Sequence, residues 1–323
     1  MPTQSEETSP GPVRNEEWAA RPAKPPHSVF GNYPRQAATG AEPHGIAGEA
    51  KKQPATTQGQ TAGPLQISID VAMARSFLYR FLAQAYQDPT EEGWGQLTEL
   101  NLQDLLGSAV HALNADTPLL AQTAATLRSQ LKPELFESFM GAYLAAFGHA
   151  ARGRCPLNEI EYGDIKADPL FQPHRLADLT AFYRAFGLEV AEDADERHDH
   201  ICLELEFMCV LAAKEAYALE HQLDSEALSV CRDAQKRFLR EHLGRWTPAF
   251  ARRLARMAAD SPLGSFANFT RAFIENECAR FGVPPGSEEL LLRPVDEAAE
   301  SMCNSCGVTQ AMPGAVPAAS SPV

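Results

Sequence analysis

Apolar residues recur at helical spacing along most of the chain. In VAMARSFLYRFLAQAY (71–86), Phe77 and Phe81 share a face, as do Leu78, Leu82 and Ala85. The run closes at Asp88-Pro89, where proline favours a break. A second run spans Leu119 to Leu131. A third opens at Pro133, a favoured first helical position, and carries Leu135, Phe136, Phe139, Tyr143 and Phe147 up to Gly148. Further stretches cover Pro173–Phe186, His198–His221, Ser225–Leu243, Pro248–Met257 and Leu263–Phe281, with Gly187 and Gly282 where C-terminal caps belong. There is neither sustained period-two alternation nor an internal repeat. The pattern predicts an all-α protein: a single helical-bundle domain of about eight to ten helices.

The ends do not share this pattern. Residues 1–64 hold ten Pro and seven Gly, few large aliphatics, and six acidic against six basic side chains. Such a segment buries too little apolar area to offset its chain entropy, so a disordered tail is expected. A second loose tail is expected at 308–323, around MPGAVPAASSPV. Residues 65–307 then form the helical domain. The long connection from Gly148 to Gln172 lacks a helical period, as functional or mobile segments often do.

Composition narrows the function. The 323 residues carry 28 Lys+Arg against 42 Asp+Glu, a net charge of −14. That argues against a general nucleic-acid partner, whose grip depends on neutralising phosphates. Charge is also segregated: net −9 over Cys155–Glu206 and net +6 over Arg232–Arg256. Both regions are open to two readings, ligand attraction or solvated helix faces. Seven Cys form no disulfide scaffold and suggest a reducing compartment. No stretch is apolar enough to span a membrane and the N-terminus has no secretory pattern, so a cytoplasmic location is expected.

Motifs for chemistry are sparse. There is no phosphate loop, dinucleotide fingerprint or nucleophile elbow. Cys303 and Cys306 form one C-x-x-C, half of what a structural zinc site needs. His200 and Glu204, at i and i+4, could share a face for a metal, but no duplicated E-x-x-H supports it, and a helix-start role for His200 is the simpler reading. Asp199 suits a helix N-cap or first turn. Cys202 and Cys209, seven residues apart, read as small core residues. No metal and no cofactor of the protein's own is expected.

The segment ERHDHICLELEFMCVLAAKE (196–215) resembles the signature of the TorD/DmsD/NarJ family of redox-enzyme maturation chaperones. An E-x-x-D-H element (Glu196, Asp199, His200) leads into a helix reading E-L-E-F-M (Glu204 to Met208). Upstream, CPLNEIEYGD and HRLADLTAFYRAFGLE resemble the family's central region through Pro156, Glu159, Tyr162, Leu176, Ala177, Asp178, Phe182, Tyr183, Phe186 and Gly187. FLYRFLAQAYQDP matches its opening helix, so the resemblance runs from about Ile69 to Phe281. Where many members have Pro before the motif Asp, this chain has His198.

The resemblance implies a cytoplasmic, all-α, non-enzymatic chaperone. Its partner would be the apo catalytic subunit of a dimethyl-sulfoxide-reductase-type molybdenum enzyme and that subunit's twin-arginine leader, held until the molybdopterin cofactor is inserted. The subgroup wording is closest to chaperones of the ethylbenzene, dimethylsulfide, selenate and chlorate kind. Client-binding candidates are Glu196, Asp199, His200, Glu204, Tyr162, Glu159 and Asp164; each stands equally as an internal anchor of the connection it sits in. Tyr183, Phe182 and Phe186 read as core. Arg237, Arg240, Arg245, Arg252 and Arg253 offer a transient contact for the molybdopterin pyrophosphate, or a solvated face. Two other functions stay open: a metal-dependent helical-bundle enzyme, and a permanent delta-like subunit of an oxidoreductase complex.

Overall fold

A computed structural model describes residues 63–113, 118–148, 153–163, 171–191, 194 and 196–293. The expected tails, apart from Gly63 and Pro64, and with them Cys303 and Cys306, lie outside these, as does Asp164. Ten α-helices form the described part: α1 (Pro64–Ala85), α2 (Glu91–Thr98), α3 (Leu100–Ala112), α4 (Pro118–Gln130), α5 (Phe136–Phe147), α6 (Phe171–Ala185), α7 (Ile201–Glu220), α8 (Ser225–Glu241), α9 (Leu243–Met257) and α10 (Pro262–Phe281). Single 3-10 turns sit at Pro133–Leu135 and Glu159–Glu161. Isolated extended bridges join Asn158 with His200 and Tyr162 with Leu292.

Helix ends follow local chemistry. Thr90, Asp224 and Ser261 cap α2, α8 and α10 through their side-chain oxygens. Gly282 closes α10 in the left-handed region at φ 61°. Helix α7 is the centre: 14 of its 20 residues are buried, so it needs apolar residues on nearly all sides. Helix α1 lies antiparallel along it, with the Ser76 hydroxyl donating to the Cys209 carbonyl and the Cys202 thiol to Ala83 O. Cys202 and Cys209 are both buried, as their spacing suggested. Helices α9 and α10 pack together, and α10 also meets α4.

Three boundaries differ from the sequence reading. Helices α2 and α3 were not expected; two glycines in α2 and its eight-residue length hide the period. Helix α7 starts at Ile201 rather than His198, because the preceding residues bond to another segment. Helix α9 starts at Leu243 and runs through Pro248, which was expected to open it. A proline there cannot donate to the Gly244 carbonyl. Gly286 N–H replaces it, at 2.9 Å. This crossing requires both glycines: a Cβ on Gly286 would sit 1.8 Å from Arg245 O, and one on Gly244 2.5 Å from Leu239 O.

A buried charge network ties four helices together. Arg75 of α1 donates from Nε to both Glu277 oxygens of α10 (2.9 and 2.8 Å) and from Nη1 to Glu215 of α7 (2.8 Å). Its Nη2 meets Gln235 of α8. Tyr79 donates to Glu277 at 3.0 Å and Arg232 to Glu215 at 2.7 Å. The partners outweigh burial in holding the Arg75 guanidinium charged. Nothing in the helical period marks these polar residues as interior.

Candidate functional site at the start of helix α7

The chain before α7 is held against residues 153–163, the described part of the long connection. Ile201 N–H donates to Leu157 O and Glu159 N–H to Asp199 O, each at 2.9 Å. That connection is therefore an interior strap over these residues: Cys155, Glu159, Ile160 and Tyr162 are all fully buried. Gly153 crosses so close to Phe147 that a Cβ would lie 2.1 Å from its carbonyl oxygen.

Asp199 is the knot of this junction and is completely buried. It does not cap α7. Its carboxylate accepts from Ile160 N–H (3.0 Å), Asn158 Nδ2 (3.2 Å) and Arg197 Nη2 (2.9 Å). The cap is His200, whose Nδ1 accepts from Cys202 N–H at 3.3 Å. Burial pushes the His200 imidazole down to about 4, so it is neutral, as a hydrogen-bond acceptor must be.

Glu159 faces inward from the strap. Its Oε2 lies 2.9 Å from His242 Nδ1, and Oε1 accepts from Arg245 Nη2 at 2.9 Å, with Arg175 Nη2 at 3.3 Å. Burial opposes ionisation here, but His242, Arg175 and Arg245 outweigh it and hold the carboxyl below its usual range. His242 Nε2 in turn lies 3.2 Å from Asp178 of α6. Thus α6, the α8–α9 joint and the strap share one polar cluster. Glu204, buried one turn into α7, accepts from Trp246 Nε1 at 3.1 Å. Burial, then the nearby Glu159 charge, raises its carboxyl well above the usual range. The Tyr162 hydroxyl donates to Pro156 O at 2.8 Å, and its ring packs on Trp246.

Of the seven sequence candidates, the structure thus brings Glu159, Tyr162, Asp199, His200 and Glu204 into one contiguous frame. His200 and Glu204 point to different partners, a backbone amide and an indole, rather than to a shared metal position. Glu196 stands outside the frame, half-buried. It joins two acids that the candidate set lacked. Asp88, exposed beyond α1, lies 3.4 Å from the Tyr143 hydroxyl. Burial first, then Asp88 and, more weakly, Glu196, lifts that phenol well above its usual range. Burial, then Glu206, Glu196 and Asp88, does the same to the Cys202 thiol. Asp88, Glu196 and Glu206, from three segments, thus all act on the buried Cys202 thiol in the first turn of α7. The Asp88-Pro89 break and the motif's second Glu were the available signals.

The aromatic trio behaves as core: Phe182 and Tyr183 pack on Phe207 and Phe238, and Phe186 on Phe207. Most of the basic stretch is answered internally. Arg237 and Arg240 pair with Glu241, Arg245 with Glu159, and Arg252 with Glu288 and Glu289.

Residues 112–252 match the family described as nitrate reductase delta subunit. The selenate reductase assembly chaperone protein of Thauera selenatis is 30% identical over 214 residues, covering 66% of this chain and 93% of that protein. The chain belongs to the TorD/DmsD/NarJ family of assembly chaperones. Other family members fit the same pattern. The perchlorate reductase assembly chaperone protein of Dechloromonas aromatica is 30% identical over 186 residues, 56% of this chain and 77% of that one. Chaperone protein TorD of Vibrio cholerae is 30% identical over 119 residues, 36% and 52% of the two chains. Two of these family members are named as reductase assembly chaperones and the third as a chaperone; the chain is a chaperone-family protein and not an enzyme. No described helix is long and apolar enough to cross a membrane.

Proposed function

We propose that this protein binds the apo catalytic subunit of a dimethyl-sulfoxide-reductase-type molybdenum enzyme in the cytoplasm, together with its twin-arginine leader. It releases the subunit once the molybdopterin cofactor is inserted and export can follow. The names of the relatives support an oxidoreductase subunit as client. The observation that supports the leader-binding part is that the carboxylates of Asp88, Glu196 and Glu206 all act on the Cys202 thiol at the start of α7, with Asp88 3.4 Å from the Tyr143 hydroxyl.

The chemistry matches. A twin-arginine leader presents guanidinium groups followed by an apolar run. Three carboxylates at a partly desolvated surface supply charge-assisted hydrogen bonds and steer the encounter. Glu196 and His200 stand at the contact surface, and Asp164 remains in the proposed contact set. Asp199, Glu159, Tyr162 and Glu204 act as positioning residues that hold the strap and the α7 start in register. The chaperone then works by mass action: it binds the unfilled client better than the filled one and shifts the population accordingly. The molybdopterin cofactor is cargo of the client; a transient contact with it falls to the basic stretch that includes Arg253.

Calorimetry with a synthetic twin-arginine leader tests this reading. Binding that weakens with salt and weakens about tenfold in Glu196→Gln/Glu206→Gln, roughly 1.4 kcal/mol, is expected. No heat of binding, or equal affinity in that variant, would remove the acidic convergence from the mechanism.

A further inference from the structure

At the opposite end of α7 lies a groove with an apolar floor and a charged rim. Ala185, Phe186, Ala227, Val230 and Cys231 line this groove of about 510 Å³ between the end of α6, the end of α7 and the first turns of α8. Lys214, Asp224 and Glu226 form its rim. Around it Tyr217, Leu223 and Val230 are each about half exposed, at 56, 48 and 51%. The volume is that of a site for a small ligand or for side-chain anchors.

Helix α1 begins at this same end. Its residues 75, 76 and 83 meet α7 at 215, 209 and 202, so its first residue, Pro64, lies toward the α7–α8 turn. The alignment with the Thauera selenatis relative leaves roughly 109 residues of this chain without a counterpart (323 − 214). Within residues 1–62 the aromatic residues are Trp18, Phe30 and Tyr33, and Phe30 and Tyr33 sit in the short apolar stretch SVFGNYP. Residues 18–41 carry three basic side chains, Arg21, Lys24 and Arg35, and no acidic one. That sign complements Asp224 and Glu226.

We propose that residues 28–34 dock into this groove in cis, with Phe30 and Tyr33 as anchors and Arg35 toward the acidic rim. The 30 residues from Pro34 to Gly63 would span about 30 Å as a coil, roughly the length of α7, so the reach suffices. Tethering gives a local concentration in the millimolar range, which fills the groove even when intrinsic affinity is only about 0.1 mM. The groove is then covered until a client with higher affinity displaces the segment. This inference is independent of how the leader binds.

The test uses the full-length chain. Cys231 lines the groove, and its alkylation rate is read by peptide mapping in the wild type and in Phe30→Ser/Tyr33→Ser. A rise of about tenfold in the variant, with unchanged helical circular dichroism, is expected for a segment that occupies the groove nine-tenths of the time. A photo-crosslinker at position 30 should join residues 185–186 or 224–231 within the monomer fraction. An unchanged alkylation rate, a crosslink only between two copies, or a crosslink elsewhere overturns the proposal.

Discussion

Glu159 Oε2 and His242 Nδ1 lie 2.9 Å apart, both fully buried and 83 positions apart in sequence. The pair fastens the strap to the α8–α9 joint, and Asp178 on the far side of the imidazole brings α6 into the same cluster. Replacing Glu159 with Ala leaves His242 and Arg245 facing a void. The expected loss is about 3–5 kcal/mol of unfolding free energy, measured by urea titration. Glu159→Gln retains one acceptor and should lose less.

Asp199→Ala strands the Ile160 amide and leaves Arg197 with Glu161 as its remaining carboxylate. A loss of about 2–4 kcal/mol in the same titration is expected. Asp199→Asn, which preserves an acceptor for Ile160, should recover part of it. Equal losses in the two variants would contradict the assigned hydrogen bonds.

His200→Ala removes the cap of α7 and should cost about 1 kcal/mol, restored by His200→Asn or Ser. The pH dependence separates the cap from packing. The imidazole is held near 4 in the fold, below its ordinary value of 6.5. The unfolded chain therefore binds the proton first, so stability drops as pH falls from about 6.5 to 4. His200→Asn should flatten that limb in urea titrations across pH 4–7.

Glu204 has the opposite sign. Its folded value is raised above 4.5, so the native state binds the proton more tightly than the unfolded chain. Its contribution is full below about 4.5 and is lost as pH rises through the folded value. Glu204→Gln keeps an acceptor for Trp246 and should remove that alkaline loss. A wild type and variant with parallel profiles above pH 5 would show that Glu204 is ionised in the fold.

Much of the helical architecture was legible because apolar periodicity is a local signal. The signature around Glu196–Met208 was equally legible, since its residues are contiguous. What stayed hidden depends on contacts distant in sequence. The extension of α9 through Pro248 rests on a hydrogen bond from Gly286, and the fate of Asp199 on the amide of Ile160. Arg75 reads as a surface arginine until Glu215, Gln235 and Glu277 arrive from three other helices. Asp88 and Glu206 gain meaning only when the end of α1 is laid beside the start of α7.

The central claim is differential binding of an unfinished client. Its most direct measurement is size-exclusion of the tagged protein co-expressed with a dimethyl-sulfoxide-reductase-type catalytic subunit from the same organism, with molybdenum assayed in each peak. A complex containing the apo subunit, and absence of this protein from the cofactor-loaded enzyme peak, is predicted. Stoichiometric co-elution with the loaded enzyme would contradict it and make the protein a permanent subunit.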